Sequence, residues 1–347
     1  MNIIFFAPYN INEKQDLQLN SAPRIRCYNI YKQMKLTNSV FLISGDSIER
    51  KRKYQEVEKL NLLKNVDGLY MENPNCSIKN FDIRFLKKVK KHGIVMSMFY
   101  RDIHWQFPEF FSSFKHKIFY YRKSRKFRKQ LHFFKEIFDI IYSPTQEFAE
   151  FAGLDSKHLL PPAGNVMEIK KTDNLGFLFA GSQKTGFNNI LEANKILLAE
   201  GEEYPLYLVT NKPKSPIAQN ISISPVITED IIQNVGVGII PLTPTKYYKL
   251  SISLKFMQYM SYGLPIICQN LPSFNYYHSK YNVCVFFNGT AQDLAEKMKY
   301  IMRNHEIRKN MSANAFNSVK YEENWQKRVE KIILDINNIR KHKNENF

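Results

Sequence analysis

The feature that most restricts this 347-residue chain is an alternation of short apolar runs with stretches of helical spacing, broken once by the pair Pro161-Pro162. Short, mostly apolar runs read as strands buried on both faces. Strands that alternate with helices are joined by crossovers, so they run parallel in βαβ units. In the first block NIIFFAP ends at Pro8, and a polar loop spans Asn10 to Ser21. Pro23 then opens a helix through Met34, because the first turn does not need its missing N–H. SVFLIS, GLYMEN (Gly68–Asn73), GIVMSMFY (Gly93–Tyr100) and IFDIIYSP (Ile137–Pro144) supply the next strands. The second block runs LGFLFAGS (Leu175–Ser182), a helix over Phe187–Leu198, then strands YPLYLVT, ISPVIT and VGVGIIPLT. The helix SLKFMQYMSYG stops at Gly263, strands LPIICQN and VCVFFN follow, and Thr290 caps a helix starting AQDLAEKM. A last helix carries Trp325 to about Ile339, and the polar tail KHKNENF is expected to fray.

The expected architecture is therefore α/β, with two Rossmann-like parallel-sheet domains facing across a cleft. The boundaries are 1–162, 163–320, and a C-terminal segment 321–347 whose helix packs back on the first domain. In open parallel sheets ligands sit at the carboxyl ends of the strands. The length suits two domains, and a hydrophobic fraction of 44% is enough to build both cores. No apolar run approaches the roughly 18 residues of a membrane span. The start MNIIFFAPYN lacks the charged region and cleavage site of a leader, so a cytoplasmic protein is expected. Cys27, Cys76, Cys268 and Cys284 form no CxxC pair, and the histidines show no ligand spacing. A disulfide framework and a protein-held metal are not indicated, and no cofactor is expected.

The net charge of +18 favours anionic partners: a nucleoside diphosphate, an acidic lipid surface or nucleic acid. A lysine-rich composition explains part of it equally well. No nucleic-acid-binding motif is present, so nucleic acid is not expected as a partner.

The most informative segment is 239–275, IIPLTPTKYYKLSISLKFMQYMSYGLPIICQNLPSFN. A strand ends at Pro241, a polar and aromatic loop follows, and Ser251 or Ser253 caps a helix stopped by Gly263. Free amides and the positive end of the helix dipole at Ser253 suit a diphosphate. Lys255 adds a full charge in the first turn, and Gln258 lies one turn further along, able to hydrogen-bond hydroxyls.

On these residues the chain resembles the retaining glycosyltransferases of family 4 (glycosyl transferases group 1) and their GT-B relatives, which often read S-x-K-x-x-E-Y-M-x-x-G-x-P-V-V here. LLPPAGNV, LGFLFAGSQKTGFNNILEANKIL and FDIIYSPTQEF extend the resemblance over 137–320. It implies a nucleoside diphosphate-sugar as donor, with UDP-sugars favoured, held by Gly181, Lys184, Ser251, Ser253, Leu254, Lys255 and Gln258. Gln258 stands where the family usually carries the ribose-binding Glu. Leu250 stands where the donor-sugar Glu would be, and Ser182 replaces the usual Arg after the Gly turn.

In the first block, Tyr100-Arg101-Asp102-Ile103-His104-Trp105 follows a buried strand and resembles an R-D-x-W-P pattern of some family-4 members. The resemblance places it against the acceptor, with Asp102 or His104 orienting the acceptor hydroxyl and Arg101 binding the acceptor. Arg24 and Arg26, at the start of the first helix, are further acceptor-binding candidates; a plain surface role fits them equally well. Residues 115–135 are rich in Lys and Arg and hold no acid. Tyr120, Ser124, Phe127, Leu131, Phe134 and Phe138 share one helical face, leaving Arg122, Lys123, Arg125, Lys126, Arg128 and Lys129 elsewhere. Each basic group near an anionic bilayer is worth about 1 kcal/mol. Phe119, Tyr121 and Phe133, off the stripe, could dip into headgroups. A peripheral position on the inner face of the cell membrane is thus expected.

The expected activity is transfer of a sugar from a nucleoside diphosphate-sugar to a cell-surface glycan, lipid-linked or protein-linked acceptor, with retention. The alternative, motivated by Leu250, is a non-catalytic GT-B subunit that supports a partner glycosyltransferase.

Overall fold

A computed structural model describes residues 1–8, 10–11, 22–73, 78–107, 114–172, 175–183, 186–210 and 218–345, with side chains for all of these but 22, 114–120, 122 and 344. Two units partition the chain: Met1–Pro161 with Trp325–Phe347, and Pro162–Asn324.

Unit 1 is built on β1 (Asn2–Ala7), β2 (Ser39–Ser44), β3 (Gly68–Asn73), β4 (Val95–Tyr100) and β5 (Ile140–Tyr142), in the order β2-β1-β3-β4-β5. Every pairing is parallel. The crossovers carry α1 (Ala22–Thr37), α2 (Ser47–Lys59), α3 (Asn80–Lys91) and α4 (Phe114–Ile137), and α5 (Gln146–Ala152) follows β5. Helices on both faces explain why Ile3 to Ala7 are all buried, with no alternation. The caps are local and chemical. Asp46 accepts from the amides of Ile48 and Glu49, while Glu49 accepts from the Asp46 amide, which fixes the start of α2. Thr145 does the same for α5 through the Phe148 amide.

Unit 2 holds β6 (Gly176–Ala180), α6 (Phe187–Ala199), β7 (Leu206–Val209), β8 (Ile221–Ser224), α7 (Glu229–Asn234), β9 (Val235–Ile240), α8 (Leu254–Ser261), β10 (Ile266–Cys268), α9 (Pro272–Tyr281), β11 (Cys284–Phe286), α10 (Ala291–Arg303) and α11 (His305–Tyr321). Its six parallel strands run β11-β10-β9-β6-β7-β8. Strand alternation splits the core in two. Phe177 and Phe179 pack with Phe187, Ile190 and Met298 on the α6 and α10 side. Leu178 and Ala180 pack with Phe256, Tyr259, Phe274 and Ala315 on the α8, α9 and α11 side.

The last helix, α12 (Trp325–Glu345), belongs to unit 1. Val329, Ile332 and Ile336 are buried. Gly68 makes room: a Cβ there would lie 2.8 Å from Ile336 Cγ2. The expected fraying after Ile339 is corrected, since α12 continues to Glu345. Arg340 pairs with Asp67 at 2.7 Å and Lys343 with Asp139 at 3.0 Å, which ties the polar end to the sheet. Two strand expectations are also corrected. β5 begins only at Ile140, because α4 runs to Ile137. β8 ends at Ser224, before Pro225, which lacks the N–H that a continuing ladder needs.

α4 covers the basic segment. Leu131, Phe134 and Phe138 are buried and Ser124 and Phe127 half-buried, so the apolar stripe packs inward. Lys123, Arg125, Lys126, Arg128 and Lys129 are exposed, as is Tyr121, while Phe133 is half-buried against Phe134. The side chains of Phe119, Tyr120 and Arg122 lie outside the described residues. Among the described residues no helix is long and apolar enough to cross a membrane.

Candidate functional site

In unit 2 three structural pieces converge at the carboxyl end of β6. β6 ends at Ala180 and the chain turns at Gly181, whose amide donates to Val209 O at 3.0 Å. From β9 the chain passes Pro241 and a short turn, Tyr248–Leu250, into α8. Between the two serine candidates the geometry selects one. Ser253 is the N-cap, extended at φ −75° and ψ 131°, and its Oγ accepts from the Lys255 amide at 3.3 Å. Ser251 shapes the approach instead, its carbonyl accepting from Ser273 Oγ at 2.9 Å.

Leu254 is the first residue of α8 and Lys255 the second. Lys255 Nζ donates to the Ala180 carbonyl, so the ammonium lies over the end of β6. Burial pulls its pKa down to about 8, since the charged form has lost part of its water. Gly181 leaves the room for this: a Cβ there would lie 2.9 Å from Lys255 Nζ. Gly181, Ser253, Leu254 and Lys255 are thus brought together. Gln258 lies one turn along α8, half-buried, with Nε2 donating to Tyr262 Oη at 2.8 Å. Lys184 lies outside the described residues.

Sequence reasoning missed Tyr259, which sets the position of α8. Its hydroxyl accepts from the Ala180 amide at 2.8 Å, and its ring covers Gly238. A Cβ on Gly238 would come within 2.3 Å of the ring. The signal was present as the glycine alternation in VGVG, but only the register of β9 shows which glycine meets which ring.

In unit 1, Arg101, Asp102 and His104 follow the carboxyl end of β4. Asp102 Oδ1 accepts from the His104 amide at 2.8 Å and lies 3.5 Å from His104 Nδ1. Burial pushes the Asp102 carboxyl up, but the His104 contacts and the Arg101 charge outweigh it and hold the pKa below the usual value. The carboxylate is 11% exposed and the imidazole 29%, so His104 is the member that faces outward. Arg101 has a buried Nη1 with no hydrogen-bond partner among the described residues.

Arg24 is exposed at the start of α1. Arg26 is placed differently from a surface residue. It is 4% exposed, its Nε bonds Glu72 at 3.1 Å, its Nη1 bonds the carbonyls of Leu160 and Pro161, and its guanidinium lies 3.4 Å over the Phe99 ring. Those contacts tie α1 to β3, β4 and the end of the unit. Among the described residues, no group of three His, Cys, Asp or Glu side chains is arranged to hold a metal ion.

Residues 232–333 match a family described as glycosyl transferase-like. Comparison with curated proteins finds no match. Among solved structures, HepE of Anabaena in complex with UDP and glucose aligns with a TM-score of 0.60 at 10% identity, over 97% of this chain and 99% of that one. WaaG, a glycosyltransferase involved in lipopolysaccharide biosynthesis, aligns at 0.55 and 9% identity, over 95% and 98%. The UDP-GlcNAc 2-epimerase of Neisseria meningitidis, bound to UDP-GlcNAc, aligns at 0.54 and 8%, over 97% and 99%. The architecture is therefore GT-B, and the glycosyl transferase-like region covers the later part of the second unit and the start of α12.

Proposed function

We propose that this GT-B, glycosyl transferase-like chain moves a sugar from a UDP-sugar to a glycan or lipid-linked acceptor. The observation that carries the reading is the meeting of the α8 amino end, Lys255 and the Gly181 turn at the carboxyl end of β6. Amides at a helix start and a half-buried ammonium suit the two phosphates of a nucleoside diphosphate. The same groups favour the charge that grows on the leaving diphosphate as the glycosidic bond breaks, often the largest catalytic contribution. UDP is preferred because HepE carries UDP and the Neisseria epimerase carries UDP-GlcNAc in the same fold.

We assign acceptor handling to unit 1. Asp102 holds His104 in place, and His104 orients the acceptor hydroxyl; Arg101 and Arg24 offer charge to the acceptor. With retention of configuration, the departing phosphate takes the acceptor proton, so no separate base is required. The exposed cations of α4 support a peripheral position on an anionic membrane, where lipid-linked acceptors reside. Retention on vesicles of anionic lipid, lost when Lys123, Arg125, Lys126, Arg128 and Lys129 are changed to Gln, is the result expected.

Leu250, which brings no carboxylate to the donor side, favours a second reading: a non-catalytic subunit that supports a partner enzyme. Incubation of the purified chain with UDP-glucose, UDP-galactose and UDP-N-acetylglucosamine separates the two. Release of UDP by the isolated chain supports the enzyme. Tight UDP-sugar binding without turnover, restored only by a partner, supports the subunit.

A further inference from the structure

We infer that Tyr262 is a positioning residue that turns the Gln258 amide into a one-sided acceptor for the ribose hydroxyls of the nucleotide. The inference rests on the UDP reading above. Gln258 follows Lys255 by three residues, a rise of about 4.5 Å along α8. If a phosphate sits at Lys255, the attached ribose falls within reach of the next turn.

A neutral amide differs from a carboxylate in one respect that matters here. It has one accepting and one donating end, and a free side chain presents either. In this protein the choice is made by the helix itself. Tyr262 stands four residues on, the spacing that brings side chains together on one helix face. Its hydroxyl accepts one of the two Nε2 hydrogens of Gln258 at 2.8 Å, which fixes the amide with its nitrogen toward the ring. Tyr262 is only 7% exposed, so its ring is fixed by packing, while Gln258 is half-buried and keeps one end open. The open end is Oε1, an acceptor only. A vicinal diol, with two hydroxyls to donate, satisfies it.

The test compares binding of UDP and 2′,3′-dideoxy-UDP by calorimetry to the full chain. Two neutral hydrogen bonds at about 0.5–1.5 kcal/mol each predict that the wild type prefers UDP by about 5- to 150-fold. Tyr262→Phe should reduce that preference several-fold and leave the dideoxy affinity unchanged. Gln258→Glu accepts through either oxygen, so adding it to Tyr262→Phe should restore the preference. Gln258→Met should abolish the preference whether or not the Tyr262 variant folds. The inference is overturned if Tyr262→Phe keeps the full preference, weakens both ligands alike, or is not rescued by Gln258→Glu. It also fails if Gln258→Met retains the preference. Absence of any UDP binding to the wild type would instead remove the nucleotide reading beneath it.

Discussion

Lys255 carries two statements at once: a half-buried cation with no carboxylate partner among the described residues, and a pKa near the physiological range. Removing it tests the first. Lys255→Ala should weaken UDP binding by about 10- to 100-fold, the value of a hydrogen bond to a charged group, and cut turnover by about 10²–10³. Near-normal kcat/KM in that variant would refute the phosphate assignment. The second concerns pH. In the free protein the ammonium is lost as pH rises through about 8. A bound diphosphate favours the charged form, so binding takes up a proton and affinity falls as pH rises above that value. Lys255→Arg keeps its charge and should bind UDP with a flat profile over the same range. Calorimetry in two buffers of different ionisation enthalpy reads the proton uptake directly.

At the scale of elements, the positions of helices decide the chemistry, and single atoms decide the positions. Gly238→Ala pushes a methyl into the Tyr259 ring, which also holds the Ala180 amide. A cost of about 1–3 kcal/mol in unfolding free energy is expected from overpacking, with a larger loss of UDP affinity than a distant core change of equal cost. Asp139 ties β4 and α3 to α12, accepting from the Met96 amide and from Lys90 and Lys343. Burial pushes its carboxyl up, but these partners hold it below its ordinary pKa. The stability it contributes is therefore present above the ordinary carboxylate range and lost as pH falls through the lowered value. Melting curves of wild type and Asp139→Asn should differ most near neutrality and converge as pH drops below about 4. The elements themselves were largely legible: β1, β2, β3, α6, α8 and α10 follow from apolar runs, caps and glycine stops. α9 and α11 were not, because α9 opens with Leu271-Pro272-Ser273 in a stretch that also reads as loop, and α11 has a weak apolar face. The frayed tail was misjudged because its partners, Asp67 and Asp139, are distant in sequence.

Over the whole molecule, two parallel sheets repeat one solution, an open carboxyl edge lined by turns and helix starts. The chain finishes unit 1 only after completing unit 2, through α12. Ile336→Ala should therefore cost about 2–5 kcal/mol in unit 1, as a buried large-to-small change does, although it lies near the C-terminus. The net charge of +18 predicts that UDP association slows with added salt. What the sequence made legible of the site was the α8 stretch with its serine, lysine and glutamine; what it hid was tertiary. The contact of Lys255 with the Ala180 carbonyl and the burial of Arg26 against Glu72 each join residues from separate elements. The most direct measurement of the account is backbone amide exchange on the full chain with and without UDP. Added protection of the amides of Leu254, Lys255 and Phe256 on binding is predicted, largest at Leu254, because Ser253 already accepts from the other two. UDP binding that leaves those amides unchanged while protecting others would contradict the assignment of the α8 amino end as the diphosphate site.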